Sequence, residues 1–186
     1  MDIMLDIETY GNNSNSVIVQ IGAVAFDEDG KTIDTFKMNV DPSSSIKYGM
    51  KMDISTIEWW MNQSDDARKS ILNGDRFDLA VALESFSTFI KKSYVNFHES
   101  EFDPKGVRIW CHASFDEPIM SQAYHLCNIP QPWHYRSARD LRTLIDLAGV
   151  DPHSYSKKGV HHDALDDCMA QIEYTVDALR KVHAKV

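Results

Sequence analysis

The chain has 186 residues, 43% hydrophobic and 25% charged. That composition excludes broad disorder and is enough for one domain, 1–186, with a sizeable core. With 19 Lys and Arg against 28 Asp and Glu, the formal net charge is −9, which speaks against a nonspecific duplex binder but not against an enzyme that borrows positive charge from bound cations.

Cys111, Cys127 and Cys168 are widely spaced and odd in number, which predicts reduced thiols in a cytoplasmic protein. The N-terminus carries Asp2 and Asp6 and no basic leader, so no signal peptide is expected. No apolar run approaches a membrane span.

In chain order, Ile3, Leu5 and Ile7 alternate with Met4, Asp6 and Glu8, predicting a strand. Val17 to Phe26 reads as a buried strand around Gly22, Asp27 to Gly30 as a turn, and Phe36, Met38 and Val40 as a third strand. Ser55-Thr56-Ile57-Glu58 has the form of a capping box opening a short helix. A second helix starts at Ser64-Asp65-Asp66 and stops at Asn73-Gly74. Asp78 caps a third, with Leu79, Leu83, Phe86 and Ile90 on one stripe. Ser93 to Gly106 reads as a polar loop, Val107 to Cys111 as a short strand, and Glu117 to Cys127 as a helix. After the extended Ile129–Pro132, a short strand spans Ser137 to Arg139. A helix then runs to Ala148 with Gly149 closing it, and Val150 to Val160 is a loop. The last helix carries Leu165, Met169, Ile172, Val176 and Leu179 on one stripe. The order βββ-α-β-α-β-α predicts an α/β fold, a mixed central β-sheet flanked by α-helices.

Three groups of residues can carry chemistry. The period of two puts Asp6 and Glu8 on one face of their strand. Paired carboxylates repel unless a cation lies between them, and oxygen donors suit Mg²⁺ or Mn²⁺. Asp116, in His112-Ala113-Ser114-Phe115-Asp116, sits at a strand-to-helix junction, where α/β folds bind ligands. Asp116 or Ser114 could equally be a plain helix cap. His162 and Asp167 flank the start of the last helix. The histidine suits a general base, whereas Asp163, Asp166 and Asp167 could be simple N-terminal charges. Trp59 and Trp60 lie about 100° apart around a helix. Ile57, Trp60, Met61 and Ser64 form the inward stripe, leaving Trp59 as a candidate stacking platform.

Together these motifs resemble the DnaQ-like 3′–5′ exonucleases of the histidine-using DEDDh branch. Asp6-Ile7-Glu8-Thr9-Tyr10-Gly11 resembles the first motif, and Val19 to Val24 the strand that follows it. Phe115-Asp116 resembles the second motif, and His162-x-Ala164-Leu165-x-Asp167 the third. Order and spacing cover nearly the whole chain. Ser55 to Trp60 with Gln63-Ser64, and Arg139 to Leu144, are similar to the small exoribonuclease-like and phage exonuclease A (DexA) subgroup. The second motif commonly has Asn where His112 stands here. His161 and Asp166 would offer a shifted register, but Ala164 two residues after His162 favours His162 with Asp167.

The resemblance implies an RNase H-like domain and a metal-dependent 3′–5′ exonuclease acting on RNA or DNA. Two divalent ions, Mg²⁺ or Mn²⁺, would be held by Asp6, Glu8, Asp116 and Asp167, with His162 as the base and nucleoside 5′-monophosphates as products. Thr9, Tyr10, Trp59 and His112 are candidate substrate contacts at single-stranded 3′ ends. Arg136, Arg139, Arg142, Lys157 and Lys158 are candidate phosphate contacts, with the two lysines the better pair. By analogy alone the resemblance points to a homodimer. The competing readings are a nucleic-acid-end binding module with weak catalysis and a phosphoesterase acting on small nucleotides.

Overall fold

The structure, a computed structural model, describes residues 1–156 and 159–184. Its first strand, β1 (Asp2–Thr9), divides the core in two. Ile3, Leu5 and Ile7 enter one apolar cluster and Met4 the other, as the alternation predicts. β1 pairs antiparallel with β2 (Ile18–Phe26), and β2 with β3 (Thr32–Val40). The short β4 (Arg76–Phe77) extends β3 in parallel. On the other side β1 runs parallel to β5 (Arg108–Cys111), and β5 to β6 (Ala138–Asp140). The sheet order is β4-β3-β2-β1-β5-β6, the mixed α/β sheet expected.

Helices cover both faces. On the face of Ile3 and Leu5 lie α1 (Pro42–Lys47), α2 (Ile54–Met61), α3 (Asp65–Leu72), α4 (Leu79–His98) and α5 (Asp116–Leu126). On the face of Met4 lie α6 (Leu141–Ala148) and α7 (Ala164–His183). No helix among the described residues is long and apolar enough to cross a membrane. The three cysteines are free thiols.

Several expectations shift. α1 lies where the sequence pattern predicts no helix, although Asp41 caps it and Pro42 occupies its first turn, a readable start signal. The cap of α2 is Asp53, which accepts from Ser55 N (2.9 Å) and Ser55 Oγ (2.8 Å), so Ser55 does not open a capping box. The loop expected from Ser93 is helical through His98. Lys91, Lys92 and Asn96 obscure the pattern, yet Tyr94 continues the buried stripe four residues after Ile90 and packs on Phe102. Glu99 ends the helix in the left-handed region at φ 50°. In α7, Met169 leaves the expected stripe, while Leu165 and Leu179 pack half-buried against the smaller core. The buried face comprises Ala164, Cys168, Gln171, Ile172, Thr175, Val176 and Ala178. Small residues lead that face because α7 begins in backbone contact with β2. A methyl group at Gly22 would stand 2.6 Å from Ala164 O and Leu165 N.

Candidate active site

The α7-facing side of β1 carries Asp6 and Glu8, both 8% exposed. Their partners across the ladder on β2 are Gly22 and Gln20, and each has a task. Gly22 lets the helix start settle against the strand. Gln20 reaches across, accepting from Ala164 N (2.8 Å) while donating to Asn39 Oδ1 (2.8 Å) and Ser70 O (2.9 Å). Asp163 caps α7, accepting from Leu165 N (3.2 Å) and Asp166 N (3.3 Å), and is paired with Lys37. The start of α7 is thus pinned beside the two carboxylates.

His162 precedes that cap with φ 63°. This left-handed backbone is strained for a branched side chain but tolerated by His or Asn. Ser70 Oγ donates to its carbonyl (3.1 Å). Its ring meets the Trp59 ring edge-on, centroids 4.8 Å apart, and the Trp60 ring at 6.0 Å. One turn into α7, Asp167 faces the same point. One donor atom each from Glu8, His162 and Asp167 lies within 4.8 Å of the others. Asp166 turns away to accept from Val160 N (2.7 Å), and His161 is exposed.

Asp116 closes the group from α5. It is 1% exposed and caps no helix. Its Oδ1 accepts from Ile7 N (3.3 Å) and its Oδ2 from His112 N (2.8 Å). Burial pushes its carboxyl up to about 7, against the pull of the His112 and Ile7 amides. Asp6 is pushed well above the usual carboxylate range, first by burial and then by Asp116, Glu8 and Asp167, with its hydrogen bond from Gln171 opposing. Four carboxylates crowded in a largely apolar setting repel one another, and the nearby Lys37 is engaged by Asp163. An oxygen-rich group of this charge fits a hard divalent cation.

The candidate substrate contacts divide. Trp59, 43% exposed, stands beside His162, whereas Trp60 is buried and donates Nε1 to Thr9 O (2.9 Å). Thr9 itself is buried, and its hydroxyl donates to Gly11 O (2.6 Å), which ties it to the turn. Tyr10 is half-buried, packed against the larger core. His112 lines a cleft of ≈ 240 Å³ with Asp167, Gln171 and Tyr174. Its ring is held toward the neutral form by burial and by Arg142. Arg142 reaches Ser114 Oγ at 3.4 Å. Arg136 and Arg139 lie away from the carboxylates, and Lys157 and Lys158 lie outside the described residues.

Gln171 joins the site without being among the residues the motifs predict. Its Nε2 donates to Asp6 Oδ1 (2.8 Å) from within the buried face of α7. The signal was available, because four residues after Asp167 returns to the same side of a helix.

Residues 1–179 match the family of 3′–5′ exoribonuclease Rv2179c-like domains. The chain is 29% identical, over 208 aligned positions covering 96% of it and 89% of the relative, to the exodeoxyribonuclease of Enterobacteria phage T4. Among solved structures it is similar to the zinc-ion-bound form of the E. coli Exonuclease I complex with single-stranded DNA, with TM-score 0.60 and 15% identity. That likeness covers 99% of this chain but only 40% of the other. It is also similar to Exonuclease X in complex with 5′ overhanging duplex DNA, with TM-score 0.56, 16% identity, and coverage of 98% of this chain and 93% of that one. At such identities the solved structures speak for the fold, an RNase H-like α/β sheet, while the match along 1–179 speaks for the family. This chain therefore belongs to the Rv2179c-like 3′–5′ exoribonuclease domain family, within the DnaQ-like superfamily, and is a 3′–5′ exonuclease.

Proposed function

We propose that residues 1–186 act as one exonuclease domain that removes nucleoside 5′-monophosphates from single-stranded 3′ ends. In this reading Asp6, Glu8, Asp116 and Asp167 hold two divalent cations, Mg²⁺ or Mn²⁺, and His162 is the general base. The observation that carries it is the convergence of Glu8, His162 and Asp167 donor atoms within 4.8 Å, beside the buried Asp6 and Asp116. When bound, the cations neutralise the carboxylates, polarise the scissile phosphate and stabilise the departing 3′ oxygen.

The rest is done by the chain. The His162 ring, braced by Trp59 and Trp60, takes a proton from the attacking water. The His112 and Ile7 amides fix both oxygens of Asp116. Gln171 fixes Asp6. The terminal base stacks on exposed Trp59. The site accepts RNA and DNA ends alike, a reading supported by the ribonuclease description of the family and the deoxyribonuclease description of the T4 relative.

The test uses 5′-labelled single-stranded RNA and DNA with Mg²⁺, Mn²⁺ or EDTA. Stepwise shortening from the 3′ end with either metal and none in EDTA is expected. Activity in EDTA, or shortening from the 5′ end, overturns the proposal. His162→Asn, which tolerates the left-handed backbone, should lower kcat by roughly 10²- to 10⁴-fold with an unchanged fold.

A further inference from the structure

The sheet edge opposite β4 carries positive charge that the catalytic group does not use. Lys105, His134, Tyr135, Arg136 and Arg139 line a surface cavity of ≈ 460 Å³ with no carboxylate among its lining residues. Among the described residues, Lys105, Arg136 and Arg139 form no ion pair with an acid. The loop also offers a flat surface. Tyr135 is 74% exposed, its ring lies 4.2 Å from that of His134, and the Arg136 guanidinium stands 5.4 Å over it. Arg139 Nη1 is steadied by the carbonyls of Arg136 (2.7 Å) and Ala138 (2.9 Å).

The cavity lies at the opposite end of β5 and β6 from the carboxylates. It adjoins the start of β5 and β6, whose far ends lead to His112 and to Asp140, which accepts from Ala113 N (3.1 Å). The five residue steps from Val107 to His112 span about 16 Å. Arg142 stands at the upper end beside Ser114. Cations therefore run along the outer edge from Arg142 through Arg139 to Arg136 and Lys105. Among the described residues β6 is the last strand on this side of the sheet.

We propose that this edge binds the phosphodiester backbone of the substrate strand upstream of its 3′ end, with Tyr135 stacking an upstream base. Charge complementarity with a polyanion, the exposed ring and the course of β5 and β6 toward the carboxylates select a single strand over other occupants. Cations that track a backbone beside an aromatic platform are what sequence-tolerant single-strand binding requires. The inference rests on the exonuclease reading of the carboxylate site, because that site fixes where the 3′ end lies.

The test compares a dinucleotide with a strand of about twelve nucleotides, using wild-type protein and Lys105→Glu/Arg136→Glu. Both side chains are exposed, so folding is not at risk. Each phosphate contact contributes about 0.7 to the salt slope of single-strand binding. The variant should therefore flatten that slope by about 1.4 and raise KM for the long strand roughly tenfold or more. Dinucleotide kcat/KM should stay at the wild-type value. Tyr135→Ala should raise only the long-strand KM. Unchanged long-strand KM and salt slope overturn the track and leave the exonuclease reading standing. Wild-type protein that shortens no strand sinks the catalytic reading. The track is then judged by long-strand binding in EDTA, where equal affinity of variant and wild type overturns it.

Discussion

Gly22→Ala should cost this enzyme most of its activity while leaving it folded. Gly22 faces Asp6 across the β1–β2 ladder, and its missing side chain is what admits the backbone of α7. An added methyl would stand 2.6 Å from Ala164 O and from Leu165 N, where ordinary contact begins at 3.4 Å. Neither obstacle is a flexible side chain, so the helix start must retreat by about 1 Å. That start is tied by Gln20 to Ala164 N and by Cys168 Sγ near Gly22 O (3.4 Å), and both contacts would lengthen. Overpacking of this kind costs about 1–3 kcal/mol, which a domain of this size survives. His162 and Asp167 ride on the displaced segment, whereas Asp6 and Glu8 stay on the strand. A misplacement of 1 Å between reacting groups costs on the order of 10²-fold in rate. Single-turnover rates on a labelled oligonucleotide at saturating Mg²⁺, with a thermal melt, give the two numbers. A variant whose melting point falls while its rate stays wild-type would refute the claim that this contact sets the geometry of the site.

The other expected outcomes follow from single contacts. Gln171→Leu removes the donor to Asp6 Oδ1, so half-saturating Mg²⁺ should rise about 10- to 100-fold with kcat largely recovered at saturation. Equal metal titrations for variant and wild type would exclude Gln171 as a positioning residue. Trp59→Ala should raise KM by roughly 10- to 100-fold if one stacked base is lost, and Trp59→Phe should restore most of it. An unchanged KM for Trp59→Ala removes it from the substrate site. The folded carboxyls of Asp6 and Asp116 lie above their unfolded values, Asp116 at about 7. Their contribution to stability is therefore greatest below the unfolded carboxylate range and is lost as pH rises toward 7. In EDTA, the melting temperature should fall between pH 5 and pH 8, and Mg²⁺ should raise it more at pH 8. A metal-free protein that gains stability over that interval, with no metal increment, would contradict the assignment.

Much of this was legible because one element carries two signals at once. β1 shows its strand period and the paired carboxylates of the candidate site in the same eight residues. The third motif reads clearly because His162 is not explained by helix capping, whereas its neighbouring acids are. What failed to show were contacts made at long range. Gln20 alternates within an apolar strand and reads as a mere interruption, yet it locks a helix start 144 residues away. Met169 fits a period of 3.6, but the near-contact of α7 with Gly22 rotates the buried face toward Cys168 and Gln171. The continuation of α4 through Tyr94 was hidden by Lys91 and Lys92, whose charges sit on the solvent side of a helix whose other side is packed.

The folded sheet gathers its cost in one place. Elsewhere the charges are exposed or paired: Asp2 with Arg108, Asp29 with Arg180, Asp163 with Lys37. At the convergence of β1, α5 and α7 the chain instead buries Asp6 and Asp116 among further acids, and the amides and Gln171 that bind them hold orientation without cancelling charge. A sequence selected for stability alone would place apolar or small residues there, as it does at Gly22, Cys168 and Ala164. The local conflict is therefore functional in origin. It also implies an order of dependence: the cluster requires β1, α5 and α7 to be docked together, so a cation that neutralises it binds the native arrangement and little else. Metal affinity and folding stability of this chain should be linked quantities, with every substitution that loosens α7 weakening both.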